Sequence, residues 1–394
     1  MPHSLHNAIH FHHHHEDEEF REVFWMRTVR SFGVSFVAIF VPIYILNEAA
    51  STSEAVNQLT IYYALLWGLR AVLLVPTAQL IAKIGTKHAL AMSAVFLVFW
   101  MASLTLIEQS VWFLYGAGAL SALIGAMFFT ALHAHAAMAT KRRSSSKQLS
   151  NLLIMRRVAM SLGPLVGGII AENYGFEYAL YAGGLVSLLS ILFLNLDHDL
   201  FLNRPTWGKA LRSIDRYSAT AFVSITFQNT AVSVFWPLFI SFIISSYDGI
   251  GLIVTASLVI SITVMHVMGL HGSDSEERKQ LKLGTRSLAL VNIGRGAASS
   301  GFGIGAINFL NDITYSMSIV PFVNQYYATT RKRKNSLSYI CGMEILANIG
   351  YLLAILTFYL VFVIVGDMVL TLTVMFVLAG VVTPLISNIV SRYE

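Results

Sequence analysis

The chain has 394 residues, 56% of them hydrophobic and 12% charged, with mean hydropathy +0.65 and a formal net charge of +5. A soluble domain carries about 25% charged residues, so a water-soluble globule is excluded and a helical integral membrane protein is expected. Apolar runs of about 20 residues recur along the sequence, which excludes a barrel of roughly 10-residue alternating strands.

Residues 1–24 are polar and hold seven of the 13 histidines, most within "HNAIHFHHHHEDEEF". No partner ligand stands at a defined spacing, so the tract reads as a solvated tail with no metal site and no cofactor. Nothing there resembles a cleavable signal peptide, and the first span is expected to act as its own signal.

Hydropathy predicts twelve spans, at about 26–46, 57–82, 88–107, 111–139, 151–171, 178–196, 217–245, 249–271, 283–303, 305–329, 337–365 and 367–390. The connectors sort by charge. One set holds Lys83 and Lys87, then Lys141, Arg142, Arg143 and Lys147, then Arg204, Lys209, Arg212 and Arg216, then Arg278, Lys279 and Lys282, and last Arg331 to Lys334. The alternate set holds only acids: Glu48, Glu54, Glu108, Glu172, Glu177, Asp248 and Asp367. The positive-inside rule places the first set and both termini in the cytoplasm, in a cell-membrane protein. The basic loops "TKRRSSSK" and "TTRKRKN" then need only topology and anionic lipid to explain them, without nucleic acid. The single cysteine, Cys341, rules out an intrachain disulfide and reads as a small buried hydrophobe.

"FVPIYI" at Phe40–Ile45 recurs as "FWPLFI" at Phe235–Ile240, 195 residues on and about half the chain. Each copy sits in a span that opens a block of six. The expected division is a tail at 1–24, a first bundle at 25–196, a linker at 197–216 and a second bundle at 217–394.

Two stretches carry a family resemblance. "AQLIAKIGTKHAL" (Ala78–Leu90) is similar to the loop GxLADRxGRRxxL between the second and third spans of the major facilitator superfamily, with Lys83, Gly85, Lys87 and Leu90 matching. Ala82 stands where that pattern has its acidic residue. "GPLVGGIIAENYG", with Gly163, Pro164, Gly167 and Gly168, resembles the end of the fifth-span pattern associated with antiporters. The resemblance implies an all-α fold of about twelve helices in two six-helix bundles. It also implies alternating access, bundle contacts at these two motifs, and a lean toward efflux.

Charges inside spans cost about 2.5–3.5 kcal/mol on insertion scales and mark functional positions. Arg70 lies roughly 20 Å from either end of its span. It reads as an anion-binding or gating residue, or as a structural pair. Arg295 and Asp312 lie at similar depth on consecutive spans, so an ion pair across that hairpin is expected. Asn308, Asn311, Asp312 and Tyr315 form the most polar patch in any span, and Asp312 is the first choice as substrate or proton carrier. Glu344, with Asn348 one turn on, is the second choice; its alternative is a carboxylate reached by water or paired with Arg156 or Arg157. Gln228 and Asn229 lie near mid-depth and suit a polar substrate or interhelical bonding. His133, His135, His266 and His271 lie near span ends and read as loosely solvated. The His133/His135 spacing puts the rings on different faces, against a shared metal.

No Walker motif occurs, nor HExxH, a complete rhomboid-like serine motif or GxGD, so neither ATP drive nor intramembrane catalysis is expected. The expected function is proton-coupled transport of a small solute by a monomer in the bilayer. A nutrient symporter and a non-transporting sensor or scaffold are the alternatives.

Overall fold

The computed structural model describes residues 21–139, 145–197, 199, 204–269, 274–333 and 335–393. These fold into twelve long helices with no strand among the described residues. They are α1 (21–48), α2 (Thr52–Ile84), α3 (Thr86–Leu104), α4 (Val111–Ala139), α5 (Ser145–Tyr174) and α6 (Phe176–Phe193). A short connector helix, Trp207–Arg212, precedes α7 (Arg216–Ser241), α8 (Tyr247–Gly269), α9 (Asp274–Gly294), α10 (Gly301–Lys332), α11 (Ser336–Val365) and α12 (Met368–Val382). Seven of the described helices are long and apolar enough by composition alone to cross a bilayer. Large apolar side chains face outward, with Phe302 89% and Ile364 83% exposed, as a lipid-facing surface requires.

Local chemistry sets the helix ends. Ser51, Thr206, Asp215, Ser300 and Asp367 each accept a bond from an amide three residues on, satisfying one orphan donor of the first turn. Gly85 turns α2 into α3 at φ 95°, where a side chain would be strained.

The half-chain echo is also an echo in backbone. Residues 36–40 of α1 leave the α-helical ladder as a turn, and Ala231–Phe235 of α7, 195 positions later, do so as a π-helical turn. Pro42 and Pro237 follow at matching positions. Proline clashes with the carbonyl four residues back, which loosens the turn before it.

The ninth and tenth spans differ from expectation. The charged stretch from Asp274 continues α9, tied to α10 by Asn324 Nδ2 donating to Glu277 Oε1 at 3.0 Å. The turn lies at 295–300, and Gly303 and Gly305 are inside α10. Ser300 supplies the cap that starts α10 there, 3.2 Å from the Gly303 amide.

Helices α1–α6 and α7–α12 pack as two groups of six. Between the groups α5 lies along α8, α2 along α11 and the ends of α1 and α7 against each other. Pro164 does not end α5. Gly163 and Gly167 receive Ser35 and Phe36 of α1, in the same half, whereas Gly168 stands against the Tyr247 backbone of α8, in the other. A Cβ on Gly251 of α8 would in turn overlap the Pro164 carbonyl. Small residues here let backbones approach closely.

The charge segregation of the connectors is spatial. At the basic end, Gln79 Nε2 donates to the Pro205 carbonyl and Arg333 lies 4.0 Å from Asp215. At the acidic end, Tyr247 N donates to Glu172 Oε2 at 2.9 Å and Asn47 Nδ2 to the Tyr247 hydroxyl at 3.3 Å. Both contacts at the acidic end join the two halves.

Candidate functional site

Arg70 of α2 and Glu344 of α11 meet midway between the halves. Arg70 Nη2 donates to Glu344 Oε2 at 2.8 Å, with both side chains 9% exposed. A π-helical turn, Leu65–Leu69, immediately precedes Arg70, and such turns occur often at functional positions. The guanidinium lies 4.6 Å from the centre of the Phe129 ring, a favourable cation–π placement. Its Nε is buried without a partner. Gly125 makes the room, since a Cβ there would stand 2.9 Å from Arg70 Cδ.

His133 of α4 completes the cluster. Its Nε2 is 3.5 Å from Glu344 Oε1, and its Nδ1 is 2.6 Å from the Tyr327 hydroxyl of α10. Asn348 Nδ2 donates to the Glu344 carbonyl at 2.7 Å, leaving its buried Oδ1 without a partner. Beside the pair, Tyr63, Trp67 and Tyr351 form a continuous stack with centroid spacings of 4.8 and 4.9 Å. The side chains of Asn229 of α7 and Tyr315 of α10 lie near the Tyr351 hydroxyl. Arg70, Glu344, Asn229 and Tyr315 thus belong to one neighbourhood drawn from both halves.

Arg295 belongs to another. It lies in the turn after α9 and is fully buried. Its Nε donates to Asn292 Oδ1 at 3.1 Å and its Nη2 to Asn311 Oδ1 at 2.6 Å. Asn311 Nδ2 then donates to Asp312 Oδ1 at 3.4 Å. Asn311 thus bridges Arg295 and Asp312, and the Asp312 charge also acts on the guanidinium. Trp236 lies under the guanidinium at 4.8 Å and donates to Asn308 Oδ1 at 2.6 Å, while Asn292 reaches Thr383. This cluster joins α7, α9, α10 and the end of α12, all within the second half. Gln228 is fully buried, and among the described residues neither of its amide atoms has a hydrogen-bond partner.

A third polar cluster sits at the basic end. Lys87 is fully buried and its Nζ donates to Glu22 Oε2 at 2.7 Å. Asp199, on the connector, accepts from the Lys87 and His88 amides at 2.9 and 3.1 Å and from the Thr86 hydroxyl at 3.1 Å. It caps α3 from 112 residues away and supplies an acid to the loop in which Ala82 lacks one. Gly85 is obligatory here twice over, because a Cβ would overlap the Asp199 carboxylate. Lys83 is exposed.

The histidines are not loosely solvated where the structure describes them. His135 is 1% exposed and bonds Thr86, while His133 faces Glu344. The side chains of Arg156, Arg157, His266 and His271, and the tail before residue 21, lie outside the described residues. Sequence reasoning missed Gly125, Phe129, Tyr327 and the aromatic stack. A signal existed: Tyr63, Trp67 and Arg70 on α2, and Glu344, Asn348 and Tyr351 on α11, both follow i, i+4, i+7, and Gly125, Phe129 and His133 follow i, i+4, i+8 on α4.

No curated protein matches the sequence significantly. Solved structures share the fold. The human organic anion transporter MFSD10 (TETRAN) superposes with TM-score 0.67 at 12% identity, over 93% of this chain and 99% of that one. The E. coli fucose:proton symporter FucP gives TM-score 0.63 at 12% identity, over 93% and 97%. The model of the Major Facilitator Superfamily matches residues 23–393. This match and the twelve-helix fold agree, and the chain belongs to the Major Facilitator Superfamily.

Proposed function

We propose that this transporter carries a small organic anion together with a proton, using Glu344 as the proton-carrying carboxyl and Arg70 as the anion-binding cation. The superfamily implies secondary transport across a membrane. The observation that supports this coupling is the 2.8 Å pair joining α2 to α11 across the halves. While Glu344 is charged it occupies Arg70. A proton on Glu344 removes its charge and frees the guanidinium for a carboxylate or similar anion. Arg70 Nε and Asn348 Oδ1 add an unused donor and acceptor beside it, and Tyr63, Trp67 and Tyr351 offer flat apolar surface. His133 and Tyr327 adjoin Glu344 and form a path for its proton.

Asp312, the first choice from sequence, is the weaker carrier. Its relay to Arg295 lies within one half and need not break when the halves move. The regions 25–196 and 217–394 act as the two moving bodies, with the basic end cytoplasmic. Efflux by proton antiport, toward which the Gly-Pro/Gly-Gly motif leans, is the second reading, and a cation is the solute that would suit it at this carboxylate. It asks a cation to replace a proton at Glu344 with Arg70 2.8 Å away, a repulsion that anion co-transport avoids.

The test is reconstitution in liposomes with an imposed pH gradient and a panel of carboxylates, sugars and amphipathic cations. Carboxylate accumulation driven by inward proton movement is expected, lost in Arg70→Gln. Cation movement against the proton would support antiport, and absence of flux across the panel would support a sensor or scaffold.

A further inference from the structure

We propose that the cavity between the connector helix and the start of α11 binds a phosphate-bearing anion. The cavity is about 270 Å³ and is lined by Lys209, Arg212, Arg333, Asn335 and Ser338 among others, close to the lower size limit of small-ligand sites. Arg333 is held in place, 4.0 Å from Asp215 and 5.3 Å from the Tyr339 ring. The Lys209 and Arg212 side chains have no partner among the described residues. Among the described residues, three cations therefore line one cavity, with Asp215 as the acid beside them.

The wall between them is built of unused donors. α11 is 30 residues long, and its N-cap, Asn335, makes no side-chain capping bond. The Tyr339 amide is bonded to the Asn335 carbonyl at 3.1 Å, so the three amides before it form the open first turn. Ser338 is 5% exposed and lines the cavity, and among the described residues its hydroxyl has no hydrogen-bond partner. On a side chain this enclosed, the hydroxyl opens onto the cavity, and a phosphate oxygen there would give it a partner. Helix N-terminus and guanidinium together favour a doubly charged oxyanion. A bound phosphate would tie the connector to α11, six residues before Glu344. The chemistry suits a lipid headgroup and a soluble phosphate alike, and it does not depend on the transport reading.

The test uses the purified full-length protein and its thermal unfolding. Inorganic phosphate, against chloride at equal ionic strength, should raise the melting temperature in detergent. Lys209→Gln and Arg212→Gln, both at exposed positions, should each weaken apparent phosphate affinity by about tenfold. Ser338→Ala should weaken it less, and Lys279→Gln, an exposed cation outside the cavity, should leave it unchanged. In parallel, nanodiscs of phosphatidylcholine with and without phosphatidylglycerol are compared. Stabilisation by phosphatidylglycerol alone, lost in Arg212→Gln, identifies a lipid headgroup as the ligand; a phosphate response lost in the same variant identifies a soluble one. Equal stabilisation of Arg212→Gln and the natural protein, or no response to either probe, overturns the proposal.

Discussion

A Cβ at Gly125 would stand 3.0 Å from Arg70 Nε and 3.1 Å from Cζ, so a bulky residue there must push the guanidinium off Glu344. Gly125→Leu should leave the protein folded yet remove most gradient-driven flux, read in the liposome assay. Glu344→Gln should lower thermal stability, because an unpaired buried arginine costs about 3–5 kcal/mol. The double variant Arg70→Gln/Glu344→Gln should recover most of that loss. Far from this pair, Glu48 lines a cavity at the acidic end with Glu54 and Glu108. Burial first, then Glu108 and Glu177, raise its carboxyl above the ordinary 4.5. The folded state therefore holds the proton more tightly than the unfolded state. The resulting penalty is absent in acid and sets in as pH rises through and above that ordinary value. Glu48→Gln should melt like the natural protein in acid and higher at neutral pH.

At the scale of elements, α5 meets two different neighbours within five residues. Gly167→Leu would drive α5 into the Phe36 backbone of its own half, and Gly168→Leu into the Tyr247 backbone of the other, 2.5 Å from the added Cβ. The first should lower the melting temperature, and the second should block solute exchange with the smaller loss of stability. The sequence located this contact but assigned all three glycines to one surface, because spacing alone does not tell which neighbour a face meets. Spans were legible wherever a run stayed apolar. The start of α9 was not, since hydropathy reads its charged turns as loop. Hydropathy does not register a loosened turn, so the repeated stretches at Phe40–Ile45 and Phe235–Ile240 read as a trace of duplication and not as breaks in α1 and α7.

Across the whole molecule, the Arg70–Glu344 pair could not be read from the chain. Its partners are 274 residues apart, and depth counted from span edges put them at different levels, roughly 20 and 12 Å in. That count takes the helix ends as one common level, and they are not: Arg70 lies 14 residues from the end of α2 at Ile84 and Glu344 eight from the start of α11 at Ser336, yet their side chains are 2.8 Å apart. Arg70 and Glu344 were each singled out, as costly charges in lipid must be; His133 was not, because its position near a span end allowed a solvated reading. The two halves are joined at the acidic end through Asn47–Tyr247 and Glu172–Tyr247. In the double variant Asn47→Cys/Tyr247→Cys, a reducible bis-methanethiosulfonate cross-linker long enough to span the two side chains should stop flux, and reduction should restore it. The most direct test of the central claim compares Glu344→Gln with the natural protein in proteoliposomes carrying the transported anion. We predict that the variant loses accumulation driven by a pH gradient but keeps exchange of labelled for unlabelled solute at equal pH. Gradient-driven accumulation at the natural rate in Glu344→Gln would contradict the assignment of the proton to this carboxyl.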